Sequence, residues 1–449
     1  MGQFPSNPAS VFSPAELGKK PGSKRDDVRG RHVVYLGPAL VGVLEQNDVG
    51  KMRFRYGAPW LAGRNPVGLS HSLPLRVAIF NDCETRPFFA GLLPDADKRA
   101  LVAKALGVSR RNDFALLARV CGECAGAVTL LPVGESPLEA ASAADYRPLD
   151  EKGLARVFAL LPERPLLAGE EGVRLSLAGA QEKLPVLARG RALALPLHGS
   201  PSSHIVKPRL RRRAGTVPNE AFCLRLARDA GLPTVSAAIR RAGNLEYLLV
   251  ERYDRRRDEA GGVQRVHQED FCQALGIPPE LEYESEGGPS LKDCFALVRG
   301  VTARPVVELA RLLDAVIVNV LVGNNDAHGK NFSLLYGDAG PTLAPLYDLT
   351  STAVYPSLAA NFAMRIGDAR TFAALGPRDW ARLAKDAGLG PAQVRNRVLE
   401  LAGALRDAAP RVRAAFARTG HADAVLGKIC ETVVSRATKT VRDLKVGRS

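Results

Sequence analysis

The chain has 449 residues, 46% hydrophobic and 24% charged, the profile of a soluble globular protein with material for two or three domains. Its formal net charge of +15, from 62 Lys and Arg against 47 Asp and Glu, draws polyanions closer but does not by itself mark a nucleic-acid binder. No apolar run approaches the roughly 18 to 20 residues of a membrane span, no apolar signal core opens the chain, and the seven scattered cysteines are odd in number. We therefore expect a cytoplasmic protein with no membrane contact and no disulfide framework.

Residues 1 to 30 hold Pro, Ser, Gly and Lys without a sustained period and are expected to form a disordered tail. Val33–Leu36, Leu40–Leu44 and the alternating Met52-Arg53-Phe54-Arg55-Tyr56 predict strands of a small antiparallel sheet. Phe88 to Pro94 precedes a helical stretch from Asp97 to Leu106 and another from Asp113 to Val120. Ala125–Leu131 is a further strand, and Pro132 to Pro148 has the composition of a linker. Cys121-Gly-Glu-Cys124 is motif-like, but a tetrahedral zinc site needs a second such pair, so two small buried thiols are expected there.

A second unit begins near Leu149. Leu175 to Val186 reads as two strands around the small-residue turn Ala178-Gly179-Ala180, where backbone N–H groups can approach polyphosphate oxygens; a plain hairpin tip has the same pattern. His204–Pro208 is a short strand carrying Lys207, and Asn219-Glu220 opens a helix that stops at Gly231. A strand lysine oriented by a helix glutamate is the ion pair with which kinases position ATP. Between them, Arg209 to Arg213 reads as a solvated loop. Leu245 to Asp254 is a strand running into a polar segment, the place for a hinge that offers backbone groups to an adenine edge.

Beyond Phe271 the pattern is mostly helical, with helices at Leu309–Leu321, Trp380–Ala387, Pro391–Leu405, Arg411–Arg418 and Ala422–Leu444. The apolar run ending at Val322 leads into Gly323-Asn324-Asn325-Asp326-Ala327-His328-Gly329-Lys330-Asn331. Asp326 and Asn331 are five positions apart, the spacing of a protein-kinase catalytic loop, in which the Asp accepts the acceptor hydroxyl and the Asn holds magnesium. Asp348, after a short strand from Thr342 to Leu346, supplies the second magnesium ligand.

Taken together, Ser176 to Lys183, His204 to Pro208, Gln268 to Gly276, and Asp326 to Phe332 with Tyr347-Asp348 resemble the HipA family, serine/threonine kinase toxins of bacterial toxin-antitoxin pairs. Phe54-x-Tyr56, Leu73-Pro74 and Phe88-Phe89-x-x-Leu92-Leu93-Pro94 extend the resemblance to the first hundred residues, so that it covers roughly residues 32 to 445. It implies an α+β, two-lobed protein-kinase-like fold with an N-terminal small β-rich subdomain and a mostly helical C-terminal lobe. The chain then divides into a tail (1–30), the N-terminal subdomain (31–133), a linker (134–149), an N-lobe with the phosphate loop (150–265) and a helical C-lobe with the catalytic loop (266–449).

By motif position the resemblance makes Asp326 the catalytic base, and Asn331 and Asp348 the Mg2+ ligands. ATP contacts then fall to Leu177, Ala178, Gly179, Ala180, Gln181 and Glu182, to Lys207, to Glu251, Arg252 and Tyr253, and to His328, Gly329, Lys330, Asn331, Tyr347 and Asp348. Ser176 matches the family's autophosphorylated serine; a phosphate there would repel those of ATP, and Arg209 to Arg213 offers guanidinium groups to hold it elsewhere. The resemblance also implies an aminoacyl-tRNA synthetase substrate, glutamate-tRNA ligase first, and a HipB-like helix-turn-helix antitoxin through which DNA is contacted. The chain departs from the family in its N-terminal tail and in a shorter loop at Arg209–Arg213. Two other classes fit parts of the same sequence. One is an ATP-dependent kinase of a small molecule or lipid head group, and the other a catalytically silent DNA-binding corepressor module suggested by the charge alone.

Overall fold

The computed structural model describes residues 28–137, 142–210, 212–259, 261–421 and 423–446. Most of the expected tail, one arginine of the Arg209–Arg213 run and Ala422 therefore lie outside the described residues. Among the described residues no helix is long and apolar enough to cross a membrane.

In the N-terminal part, strands β1 (Val28–Leu36), β2 (Ala39–Asn47), β3 (Met52–Tyr56) and β4 (Val128–Pro132) form an antiparallel sheet in the order β3-β2-β1-β4. Period-two patterning sets its faces: Met52, Phe54 and Tyr56 are buried while Arg53 and Arg55, on the other face, are half-buried. Helices α1 (Asp82–Ala90), α2 (Ala96–Leu106) and α3 (Asp113–Val120) close this core over Phe54, Phe80, Phe88 and Phe89. Helix α1 is absent from the sequence expectation, although Asn81 and Glu84 form a capping box that signals its start.

The middle part is a six-stranded antiparallel sheet in the order β5-β7-β6-β8-β10-β9. Its strands are β5 (Tyr146–Leu149), β6 (Leu184–Arg189), β7 (Ala192–Pro196), β8 (His204–Pro208), β9 (Ala237–Ala242) and β10 (Leu245–Glu251). Tyr146–Leu149, linker-like in composition, is thus an edge strand. Leu175 to Val186 is not a hairpin: only the segment from Leu184 is a strand, and Leu175 makes a lone parallel bridge to Glu123. Helix α4 (Glu151–Leu160) packs beneath the sheet, and α5 (Thr216–Asp229) begins one turn earlier than its sequence pattern shows.

A hairpin of β11 (Arg255–Arg257) and β12 (Val263–Arg265) leads into a three-stranded sheet of β13 (His267–Asp270), β14 (Ser333–Gly337) and β15 (Gly340–Leu343). The helical lobe is built on α6 (Leu291–Val301) and α7 (Pro305–Val322), whose apolar residues from Leu309 to Val322 are mostly buried. The hairpin of β16 (Asn361–Ile366) and β17 (Ala369–Thr371), not expected from sequence, packs beside them. Helices α8 (Pro377–Asp386), α9 (Pro391–Arg418) and α10 (Ala424–Val446) complete the lobe. The two helices expected within Pro391–Arg418 are one helix running through Pro410. Ala408, Ala409 and Val412 continue its buried stripe, so packing outweighs the backbone hydrogen bond that proline removes.

Candidate active site

A cleft of about 1780 Å3 runs between the six-stranded sheet and the helical lobe. This exceeds the roughly 300 to 1,000 Å3 of a small-molecule pocket. Central β8 carries Lys207 to its wall, and the second turn of α5 brings Glu220 beneath it. The Lys207 Nζ donates to Glu220 Oε1 at 2.7 Å and to Asp348 Oδ1 at 2.8 Å. Burial pulls the ammonium's pKa down, but Asp348 and Glu220 outweigh it and hold Lys207 charged above its ordinary range. Lys207 in turn holds the Asp348 carboxyl down to about 2. Asp348 has a φ of +53°, a backbone strain that non-glycine residues rarely carry and that clusters at functional sites, and its side chain is 41% exposed toward the cleft.

The phosphate-loop segment crosses the cleft mouth as an irregular stretch. Gly179 has a φ of +102°, and a Cβ there would run into the Lys183 Nζ, which donates to the Ala178 carbonyl. The backbone angle is what calls for glycine, since the lysine tip can move aside. Leu177 to Lys183 line the cleft. Ser176 is not an edge-strand serine. It is 0% exposed, its N–H donates to the Glu123 carbonyl at 2.9 Å, and its hydroxyl donates to the Leu92 carbonyl at 2.6 Å.

The opposite wall is the loop after α7. The Asn324 side chain braces it, donating to Asn319 Oδ1 at 2.7 Å and accepting the Asp326 N–H at 3.2 Å. Asn331 Nδ2 donates to the Asp326 carbonyl at 2.8 Å, so the amide oxygen is the atom Asn331 has to offer a cation. Burial raises the Asp326 pKa, favouring a carboxyl that can take a proton. Asp326, His328, Lys330, Asn331, Tyr347 and Asp348 face the same cleft as Lys207 and Glu220.

Two family models match this chain: a HipA N-terminal domain over residues 32–131 and a HipA-like C-terminal domain over residues 175–409. The chain belongs to the HipA family. It is similar to "Putative kinase Y4mE" of Sinorhizobium fredii, 51% identical over 381 residues, which are 84% of this chain and 91% of that one. The "Serine/threonine-protein kinase toxin HipA" of Shewanella oneidensis is 30% identical over 350 residues, covering 75% of this chain and 78% of the relative. In structure the chain resembles HipA from the S. oneidensis complex of HipA, HipB and operator DNA. The TM-score is 0.79 at 25% identity, over 93% of this chain and 99% of that one. The protein is an enzyme, a HipA-type kinase with a kinase-like two-lobed fold.

Not every residue expected at the HipA-type site has a side chain to offer the cleft. Gly329 is packed against Pro289 and Cys272 instead. The Arg252 guanidinium leaves the hinge for a buried ion network with Glu123 (3.1 Å) and Asp254 (2.8 Å), while its backbone N–H is taken by the Ser203 carbonyl at 3.0 Å. The expected hinge therefore offers less to an adenine edge than its sequence suggests. Tyr253 stacks on Tyr347 with ring centroids 5.3 Å apart and donates to Gln268 at 2.7 Å.

Three contributors have no local sequence signal. Asp95 pairs with Lys330, and Lys98 pairs with Glu182 at 2.5 Å, so the N-terminal part grips both the catalytic loop and the phosphate loop. Tyr283 donates to Asp326 Oδ1 at 2.7 Å. Lys183, by contrast, is the last residue of the phosphate-loop motif and so carries a local sequence signal. The donors fit a magnesium-bound triphosphate. One ionised carboxylate and one amide oxygen suit a hard cation that keeps water and phosphate as its other ligands. The glycine cradle and Lys207 suit the phosphates.

Proposed function

We propose that this chain is a serine/threonine protein kinase that transfers the ATP γ-phosphate, with Asp326 as base, Asn331 and Asp348 as magnesium ligands and Lys207 as the phosphate lysine. The observation that carries this reading is the convergence of Lys207, Glu220, Asp348 and Asp326 on one cleft from β8, α5 and the loops around β14 and β15. Asn331 and Asp348 would hold magnesium, which would supply neutralisation of the charge that develops in transfer. The chain's own residues do the rest. Glu220 fixes the Lys207 ammonium, backbone groups around Gly179 cradle phosphate, and Asp326 accepts the acceptor's proton as its oxygen attacks.

The finer reading is a toxin of a toxin-antitoxin pair whose substrate is an aminoacyl-tRNA synthetase, glutamate-tRNA ligase first, and whose partner is a HipB-like helix-turn-helix protein. The resemblance to HipA in a complex with HipB and operator DNA supports the partner. DNA contact is then made through the antitoxin, and the site of action is the cytoplasm. Ser176 is proposed as a self-phosphorylation site, modified by a second molecule. Since its hydroxyl is buried on Leu92, phosphate can be added only when the loop leaves its seat, and the added charge then keeps ATP phosphates out.

Incubation of the purified protein with ATP and magnesium, with and without the synthetase and followed by mass spectrometry, tests this. Phosphoserine on Ser176 and on the synthetase, dependent on magnesium, is the expected result. Phosphate found only on a small-molecule acceptor would overturn the protein-kinase reading.

A further inference from the structure

The phenol of Tyr283 stands where a substrate hydroxyl has to stand. A general base works from about 2.6 to 3.2 Å of the proton it takes, and Tyr283 holds its hydroxyl 2.7 Å from Asp326 Oδ1. Its ring meets His328 edge-on, with centroids 5.2 Å apart at 76°. The backbone that carries the ring is pinned. The Tyr283 carbonyl accepts N–H bonds from Gly288 at 2.8 Å and Glu286 at 3.0 Å, and a Cβ on Gly288 would run into the Leu281 and Tyr283 carbonyl oxygens. On one side Glu282 pairs with Lys330 at 2.9 Å; on the other Glu284 pairs with Arg365 at 2.8 Å. The half-buried phenol lines the same open cleft as Asp326.

We propose that Tyr283 is a specificity-determining residue of the acceptor site: its hydroxyl keeps the acceptor's place on Asp326, holds water off the base, and yields only to an acceptor that displaces the ring from His328. The proposal rests on the reading of Asp326 as the base. Displacement costs a charge-assisted hydrogen bond and a ring contact. An extended protein segment repays that from contacts remote from the reacting hydroxyl, whereas water or a small alcohol has no such contacts. Tyr283 thereby favours protein acceptors over small ones. The reaction it suppresses is ATP hydrolysis. In that reaction water's oxygen bonds to the γ-phosphorus and its proton passes to Asp326. The bond from that phosphorus to the bridging oxygen breaks, and ADP leaves with the electron pair.

The test is phosphate release from magnesium-ATP by the full chain without acceptor, in the wild type, Tyr283→Phe, Tyr283→Leu and Asp326→Asn, with ATP affinity measured in parallel. Tyr283→Phe should hydrolyse ATP about tenfold faster, the scale of one lost hydrogen bond to a charged group, and Tyr283→Leu faster still, both with ATP affinity unchanged. Unchanged or slower hydrolysis in both, with ATP still bound, overturns the place-holder role and leaves Tyr283 as a brace for Asp326. Phosphate on Tyr283 itself also overturns it, since the residue would then be an acceptor. Asp326→Asn separates the two readings. If that variant still transfers phosphate, it is Asp326 as base that fails, whatever Tyr283 does.

Discussion

Two of the buried ionic clusters among the described residues differ in what they leave unused. In the first, Glu123 accepts from Arg252, Arg255 and Arg265 and from the Ser202 N–H and hydroxyl, while Asp254 takes Arg252, Arg255 and the Gly126 N–H. Both carboxylates are sealed, and the cluster ties the turn before β4 to the strands around Arg252 and Arg265. In the second, Lys207 is shared by a sealed Glu220 and an open Asp348 whose backbone is strained. A cluster whose carboxylates are sealed and paired is glue, while one with an exposed carboxylate and a φ of +53° has capacity left for a ligand.

The comparison breaks most visibly by removing one cation from each cluster. Arg252→Met leaves Glu123 and Asp254 short of a buried partner and should cost about 3–5 kcal/mol, the range for breaking buried ion pairs, read by denaturant unfolding. Lys207→Met strands the sealed Glu220 and should also cost stability, but it should weaken ATP binding, which Arg252→Met in still-folded protein should not. Equal effects of the two variants on ATP affinity would erase the distinction.

Buried carboxylates give a second contrast through pH. Glu123 lies in the sealed cluster, where burial raises its pKa but Arg255, Arg265 and Arg252 outweigh that and hold it down to about 2. Its stabilisation is present above the unfolded value of 4.5 and is lost as pH falls through about 2. Glu269 behaves oppositely. Burial pushes it up to about 7, although Ser70 and the His71 N–H donate to it across the contact between the N-terminal part and β13, and Tyr336 donates from β14. The folded state therefore holds a proton there that the unfolded state has released above 4.5, so its contribution falls as pH rises from about 4.5 to about 7. Glu269→Gln should flatten that part of the stability curve, by up to about 3 kcal/mol. An unchanged slope between these pH values would show that Glu269 is ionised in the fold.

How much of this was legible in sequence follows from separation along the chain. The catalytic loop was readable because α7, Asp326 and Asn331 are contiguous, and Lys207 and Glu220 are thirteen positions apart on a strand and the next helix. The shape of the phosphate segment was not. Small residues around Gly179 suit a hairpin tip as well as an irregular loop, and the choice is made by Glu123 and Leu92, far back in the chain. Tyr283 was invisible for the same reason, 43 positions from Asp326 in a glutamate-rich turn. Pro410 misled in the other direction, since proline marks a helix end unless buried neighbours hold the helix through it.

The smallest effect concerns pH and the rim of the cleft. Asp326 is raised by burial and lowered by His328 and the Tyr283 hydrogen bond, while Asp348 and Glu282 face it and raise it. Loss of the Tyr283 donor should raise Asp326 further, so the acid limb of ATP hydrolysis in Tyr283→Phe should move to higher pH than in the wild type. A limb that stays in place would mean that Tyr283 does not tune the base.

The central claim is that one wall of the cleft holds nucleotide and the other takes the acceptor's proton. Calorimetric ATP affinity and the rate of phosphoryl transfer, measured together on Asp326→Asn, test it most directly. Affinity within a few-fold of the wild type, with transfer slowed by about 10²–10⁴ as for loss of a general base, is the predicted result. Loss of ATP binding in a folded Asp326→Asn protein, or transfer at the wild-type rate, would contradict it.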